Sequence, residues 1–114
     1  MLKNKIVKVE EINEDYTILI RGRHKLNIKK YILEDEIKED LLNFVNMNKL
    51  YEYINNCIDI YLNKYENTKQ INLLLTGLSR VQHLVIKELI KRKIKVNVFD
   101  YSYVDRAYIH LTTY

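Results

Sequence analysis

Residues 71–83, INLLLTGLSRVQH, constrain the fold more than any other part of the chain. An apolar run too short for a helix ends at a threonine and a glycine, and apolar residues at helical spacing follow, so the segment predicts strand, tight loop and helix. A continuous apolar run of this length suits a strand covered on both faces of a parallel sheet. Where the loop lifts off that strand, the first helical N–H groups have no intrahelical partner and carry partial positive charge. Such a helix start can receive an anion, and phosphate is the usual one.

The segments on either side extend this unit. A helix over residues 79–93 would bury Val81, Val85 and Leu89, together with Leu84, Ile86 and Ile90, and expose Lys87, Glu88, Lys91 and Arg92. Val96, Val98 and Phe99 begin another strand a few residues later, which gives a right-handed βαβ crossover. Residues 104–106 then turn into a last strand over 107–113, paired as a hairpin with the one before it. Upstream, alternation at Ile6, Val7, Val9 and Ile12 predicts a strand, residues 13–15 a turn, residues 16–21 a second strand, and Leu26 and Ile28 a further short one. The start of the chain therefore reads as a hairpin or small meander. From Leu33 the period turns helical through Ile37, Leu41, Phe44 and Val45, with an acidic first half suited to a helix N-terminus. Residues 46–48 end or bend that helix, and Leu50, Ile54, Cys57, Ile58, Tyr61, Leu62 and Tyr65 form the apolar stripe of the next. The expected fold is a single α/β domain over residues 1–114: a small Rossmann-like unit with a βαβ core, an N-terminal β-hairpin and a C-terminal β-hairpin.

Composition narrows the function classes. At 114 residues one core is expected. No apolar run approaches the length of a membrane span and no signal-peptide core follows the start, so a cytoplasmic protein without membrane partners is expected. The lone Cys57 cannot form an intramolecular disulfide and reads as a core thiol; with three scattered His residues no zinc spacing exists, so neither metal nor cofactor is expected. Net charge is +4 and pI about 9.1, which allows a polyanionic partner but lacks the dense basic run of a duplex-DNA binder.

Ligands of open α/β sheets gather outside the carboxyl ends of parallel strands. That rule selects the loop Thr76, Gly77, Leu78, Ser79, Arg80 and the segment Asp100, Tyr101, Ser102, Tyr103. Ser79 and Gln82 also stand in capping-box spacing, which would satisfy the helix start without a ligand; Thr76 could cap instead. Gly77 is required by the turn under either account. His83 lies one helical turn after Ser79 and could supply acid or base near neutral pH. Arg21 and Arg23 flank Gly22 in the tightest basic cluster, a second candidate phosphate-contacting loop. The glycine-rich fingerprints of dinucleotide and P-loop sites are absent from the sequence.

The order apolar strand, T-G-L-S, helix, apolar strand, then an acidic and aromatic segment with Tyr108 in the returning strand resembles the small CARF-like Rossmannoid proteins of type III CRISPR systems, which act in antiviral defence. The resemblance covers about residues 70–111 and includes ring nucleases that bind cyclic oligoadenylate. It implies a ligand-facing loop of Thr76, Gly77, Leu78, Ser79 and Arg80, joined by Asp100, Tyr101 and Tyr108. It further implies a homodimer around a two-fold ring, and metal-independent attack of a ribose 2'-hydroxyl on the adjacent phosphodiester. Ser79 and Arg80, with Arg21 or Arg23, would then stabilise phosphorane charge, and His83 would serve as acid or base. Binding without cleavage, as a sensor or nucleotide sponge, is equally open. The competing reading is a non-enzymatic interaction or inhibitor module that presents the helices between residues 33 and 65.

Overall fold

Two apolar runs, residues 16–20 and 71–74, lie side by side in the interior of one six-stranded sheet. A computed structural model describes residues 5–21, 26, 28–34, 37–38 and 42–114. Its elements are β1 (Ile6–Lys8), β2 (Tyr16–Ile20), β3 (Tyr31–Leu33), α1 (Met47–Lys64), β4 (Gln70–Leu74), α2 (Ser79–Lys91), β5 (Lys95–Ser102) and β6 (Ala107–Thr113). The strand order is β1-β6-β5-β4-β2-β3. Strands β5, β4, β2 and β3 run parallel to one another, and β6 is antiparallel to both β5 and β1. The chain is thus an α/β protein with the βαβ unit β4–α2–β5 and the C-terminal hairpin β5–β6 that the periodicity predicts.

Side-chain alternation divides the sheet into two unlike faces. Leu19, Leu33, Leu73, Val96 and Val98 meet Leu50, Ile54 and Ile58 of α1 and Val81, Val85 and Leu89 of α2. Each such fully buried aliphatic side chain contributes about 1.5–3 kcal/mol. Ile90 of α2, expected in this core, is exposed. On the other face Tyr16, Ile18, Leu74, Phe99 and Tyr108 form a smaller cluster that no helix covers; Leu26 and Ile28 pack against it instead. Helix α2 ends in a Schellman turn: Lys93 takes φ 62°, its N–H donates to the Ile90 carbonyl, and the Ile94 N–H donates to the Leu89 carbonyl at 3.0 Å. That turn reverses the chain into β5. Arg92 clamps the two helices together through Asp59 of α1 and Glu88 of α2.

The N-terminal third departs from expectation. Strands β1 and β2 do not form a hairpin: β1 pairs with β6, while β2 pairs with β3 and β4. Every residue of β2 is buried, so it needs a neighbour on each side and both faces covered, which a terminal hairpin does not provide. The strand predicted around Leu26 and Ile28 is not formed at those two residues; residues 22–25 and 27, including Arg23, lie outside the described ones. Strand β3 ends at Leu33, the residue at which the helical period is expected to begin, and its Tyr31 and Ile32 belong to none of the predicted elements. Of that helix, Ile37 and Lys38 are irregular, residues 44–46 make one 3-10 turn, and Leu41 lies outside the described residues. Val45 is 86% exposed rather than core. The helix of residues 50–65 is present as α1, its stripe Leu50, Ile54, Ile58 and Tyr61 buried and Cys57 only half-buried.

A buried hydrogen bond of 2.7 Å between the hydroxyls of Thr17 on β2 and Tyr61 on α1 fixes the register of that helix on the sheet. Thr17→Val strands the Tyr61 hydroxyl and should lower unfolding free energy in urea titrations by about 1–3 kcal/mol. The double variant Thr17→Val/Tyr61→Phe, with neither partner left unpaired, should recover most of that loss.

Candidate functional site at the carboxyl edge of the sheet

The ladder between β2 and β4 runs in register from Tyr16↔Asn72 to Ile18↔Leu74. Two residues further on, Thr76 faces Ile20 and its side chain continues the ladder. The Thr76 Oγ1 accepts the Ile20 N–H at 2.8 Å and donates to the Ile20 carbonyl at 3.3 Å. Thr76 is 4% exposed and its hydroxyl is engaged in both bonds, so it does not cap α2. Gly77 then turns the chain at φ 80°. A Cβ at that position would stand 2.4 Å from Ile20 Cδ1, the terminal methyl of that side chain, which would have to shift; the left-handed backbone is what favours the glycine.

Leu78, not Ser79, is the N-cap of α2, and no side chain caps it. The capping box of Ser79 and Gln82 is therefore not formed. Gln82 instead donates its side-chain amide to the carbonyls of Gly77 and Thr76 at 3.1 and 3.4 Å, which ties the first turn of the helix to the loop. The N-terminal N–H groups of α2 and its dipole carry the loop's positive character.

This loop and the end of β5 enclose an open notch of about 410 Å³ lined by Leu75, Thr76, Gly77, Gln82, Asp100, Tyr101 and Tyr103. Thr76, Gly77, Asp100 and Tyr101 were selected from sequence and come together here. Tyr101 is held edge-on by two rings, Tyr103 at 5.1 Å and Tyr108 at 5.3 Å between centroids. Tyr108 is only 1% exposed and stands behind Tyr101 rather than on the wall. Burial above all, and then Tyr101, Asp100 and Tyr103, push its hydroxyl up to about 12, so it remains protonated at neutral pH. Asp100 accepts the Tyr101 N–H at 3.0 Å.

The other selected residues lie elsewhere. Leu78 is 52% exposed and Ser79 is exposed on the first helical turn, neither lining the notch. Arg80 turns away and donates from Nη1 to the Leu42 carbonyl. His83 belongs to a separate surface with Ile86, Lys87, Ile90 and Tyr114. Arg21 follows Ile20, so its backbone adjoins the loop, but its guanidinium pairs with Glu34 at 3.4 Å and lies over the Tyr31 ring. Among the described residues the lining thus holds one carboxylate and no Lys, Arg or His side chain. Tyr103, selected with its segment at the end of the second parallel strand, lines the notch as well; Leu75 lies outside the selection and Gln82 enters it only as a cap. Among the described residues no cluster of three His, Cys, Asp or Glu side chains could hold a metal ion, and no helix is long and apolar enough to cross a membrane. Comparison with known protein families, characterised proteins and solved structures finds no match to the chain.

Two outcomes follow from this geometry. Gly77→Ala should lose about 1–3 kcal/mol of unfolding free energy by denaturant titration, from the left-handed backbone and the displaced Ile20 side chain. Because the folded state holds the Tyr108 proton more tightly than the unfolded chain, where a tyrosine titrates near 10, the stability it contributes is complete below about pH 10 and is lost as pH rises to about 12. Unfolding free energy measured across that window should fall less steeply for Tyr108→Phe than for the parent chain.

Proposed function

We propose that the chain binds a nucleotide at this notch, as one unit of a cyclic oligonucleotide of the oligoadenylate type. The observation that carries the reading is the convergence of the α2 start and the Asp100–Tyr101–Tyr103 segment at the carboxyl ends of adjacent parallel strands. Tyr101 and Tyr103 offer rings for a base, with Tyr101 braced by Tyr108. The Asp100 carboxylate suits ribose hydroxyls, and the first N–H groups of α2 suit a phosphate. A volume of about 410 Å³ is at the lower end of ligand pockets and matches one nucleotide unit. The rest of a ring would extend to a second copy of the chain, so the ligand-bound form is a two-fold dimer.

Binding without turnover is the better-supported form of this reading. Arg80 donates to the Leu42 carbonyl and His83 faces another surface, so among the described residues the roles of phosphorane stabiliser and acid or base lack occupants in the notch. The chain then acts as a sensor or sponge in antiviral signalling of the CRISPR type III kind.

Native mass spectrometry and calorimetry with cyclic tetra-adenylate and hexa-adenylate, in EDTA, test this. The expected result is a stoichiometric complex of two chains with unchanged nucleotide mass, weakened about 5- to 100-fold by Tyr101→Ala. Linear product would restore the ring-nuclease alternative, and lack of uptake of either ring removes the proposal.

A further inference from the structure

A second cavity, sharing no lining residue with the notch, lies between edge strand β3 and helix α1. It has a volume of about 220 Å³ and is walled by Tyr31, Tyr53, Tyr61, Tyr65 and Cys57. Four phenol rings in so small a space give a guest ring faces and edges to pack against. Tyr61 is anchored by its bond to Thr17 and stacks obliquely on Tyr65 at 4.8 Å, so this wall is rigid before any ligand arrives.

Among the described residues its charge is one-sided. Lys29 and Lys64 line the cavity, and the ammonium groups of Lys64 and of Lys30, which is not itself a lining residue, lie 5.5 and 5.1 Å from the centroid of the lining Tyr65 ring. The described lining carboxylate, Glu34, is already paired with Arg21. Glu14 accepts the Lys29 N–H from outside the lining. An anion at this aromatic wall gains from the ammonium groups beside it, and each Lys offers a point charge with rotatable donors rather than a geometric fork.

We propose that this cavity is a binding site for a small planar aromatic anion, a carboxylate or a phosphate ester, with its ring among the tyrosines and its charge toward Lys30 and Lys64. The inference does not depend on the notch having a ligand.

Cys57 is the single cysteine of the chain and lines the cavity, so it reports occupancy. Burial raises its thiol above the ordinary value, which makes it a slow nucleophile toward an alkylating agent. Alkylation by iodoacetamide would be timed in mildly alkaline buffer, with millimolar benzoate, phenyl phosphate, cyclohexanecarboxylate or benzyl alcohol. Amide shifts of Tyr53, Cys57, Tyr61 and Tyr65 would be followed in parallel by NMR. Benzoate and phenyl phosphate should slow alkylation several-fold and move those amides, and the larger effect of the two identifies the preferred anion. Cyclohexanecarboxylate and benzyl alcohol should do markedly less. Lys30→Gln/Lys64→Gln should abolish the advantage of the anions, whereas Tyr101→Ala in the notch should leave it intact. Equal effects from all four compounds, an advantage that survives the double lysine variant, or absence of both protection and amide shifts with benzoate and phenyl phosphate would overturn the proposal.

Discussion

The bond pair between the Thr76 hydroxyl and the backbone of Ile20 is the constraint on which the carboxyl edge depends. Beyond Leu74 the backbone rungs between β4 and β2 stop, and without a replacement the loop would leave the sheet with Ile20 N–H and C=O buried and unpartnered. A side-chain hydroxyl that both accepts and donates satisfies both groups. It also brings the next residue against the Ile20 side chain, at a left-handed turn that favours glycine. The start of α2 is placed by these two residues rather than by a side-chain cap.

The two faces of the sheet answer to different physics. The helix face is a continuous apolar core, whereas at the amino end of the parallel strands the opposite face carries a polar relay. Asn97 donates to Asn72 at 2.8 Å, Thr113 donates to Asn97 at 2.7 Å, and His110 Nε2 lies 2.8 Å from the Thr113 hydroxyl. Asn72 closes the row by donating to the Asp15 carbonyl. Polar side chains that satisfy one another can line a face no helix covers without costing the sheet unpaired groups. This is why apolar strands β4 and β5 each carry an asparagine at the same rung.

Guanidinium groups in this protein serve mainly as clamps. Arg80 holds the Leu42 carbonyl, Arg92 joins α1 to α2, and Arg21 pairs with Glu34 across β2 and β3. A basic sequence therefore does not by itself produce a basic notch: among the described residues the lining presents Asp100 and tyrosines and no cationic side chain. Net charge is a property of the whole surface, and it does not reveal which cations are committed to carbonyls and carboxylates.

Local pattern was sufficient for the second half of the chain. The strand, glycine turn, helix and returning hairpin between residues 70 and 113 are encoded by period and turn chemistry among near neighbours, and so was the convergence of Gly77 with Asp100 and Tyr101. The stripe of α1 was legible for the same reason, a 3.6-residue period sustained over five turns. The pairing of β1 with β6, the interior place of β2 and the existence of β3 were not, because strands of three to five residues say nothing about which distant edge they complete. The direction of Arg80 and the engagement of the Thr76 hydroxyl by Ile20 likewise depend on groups 38 and 56 residues away in the chain, and the distance of His83 from the notch on a surface it shares with Tyr114. Sequence alone determined which segments fold into which elements, since that choice is settled by neighbouring residues. Tertiary structure decided which side chains face the site and which are consumed in holding it open, since only packing brings their partners within hydrogen-bond reach.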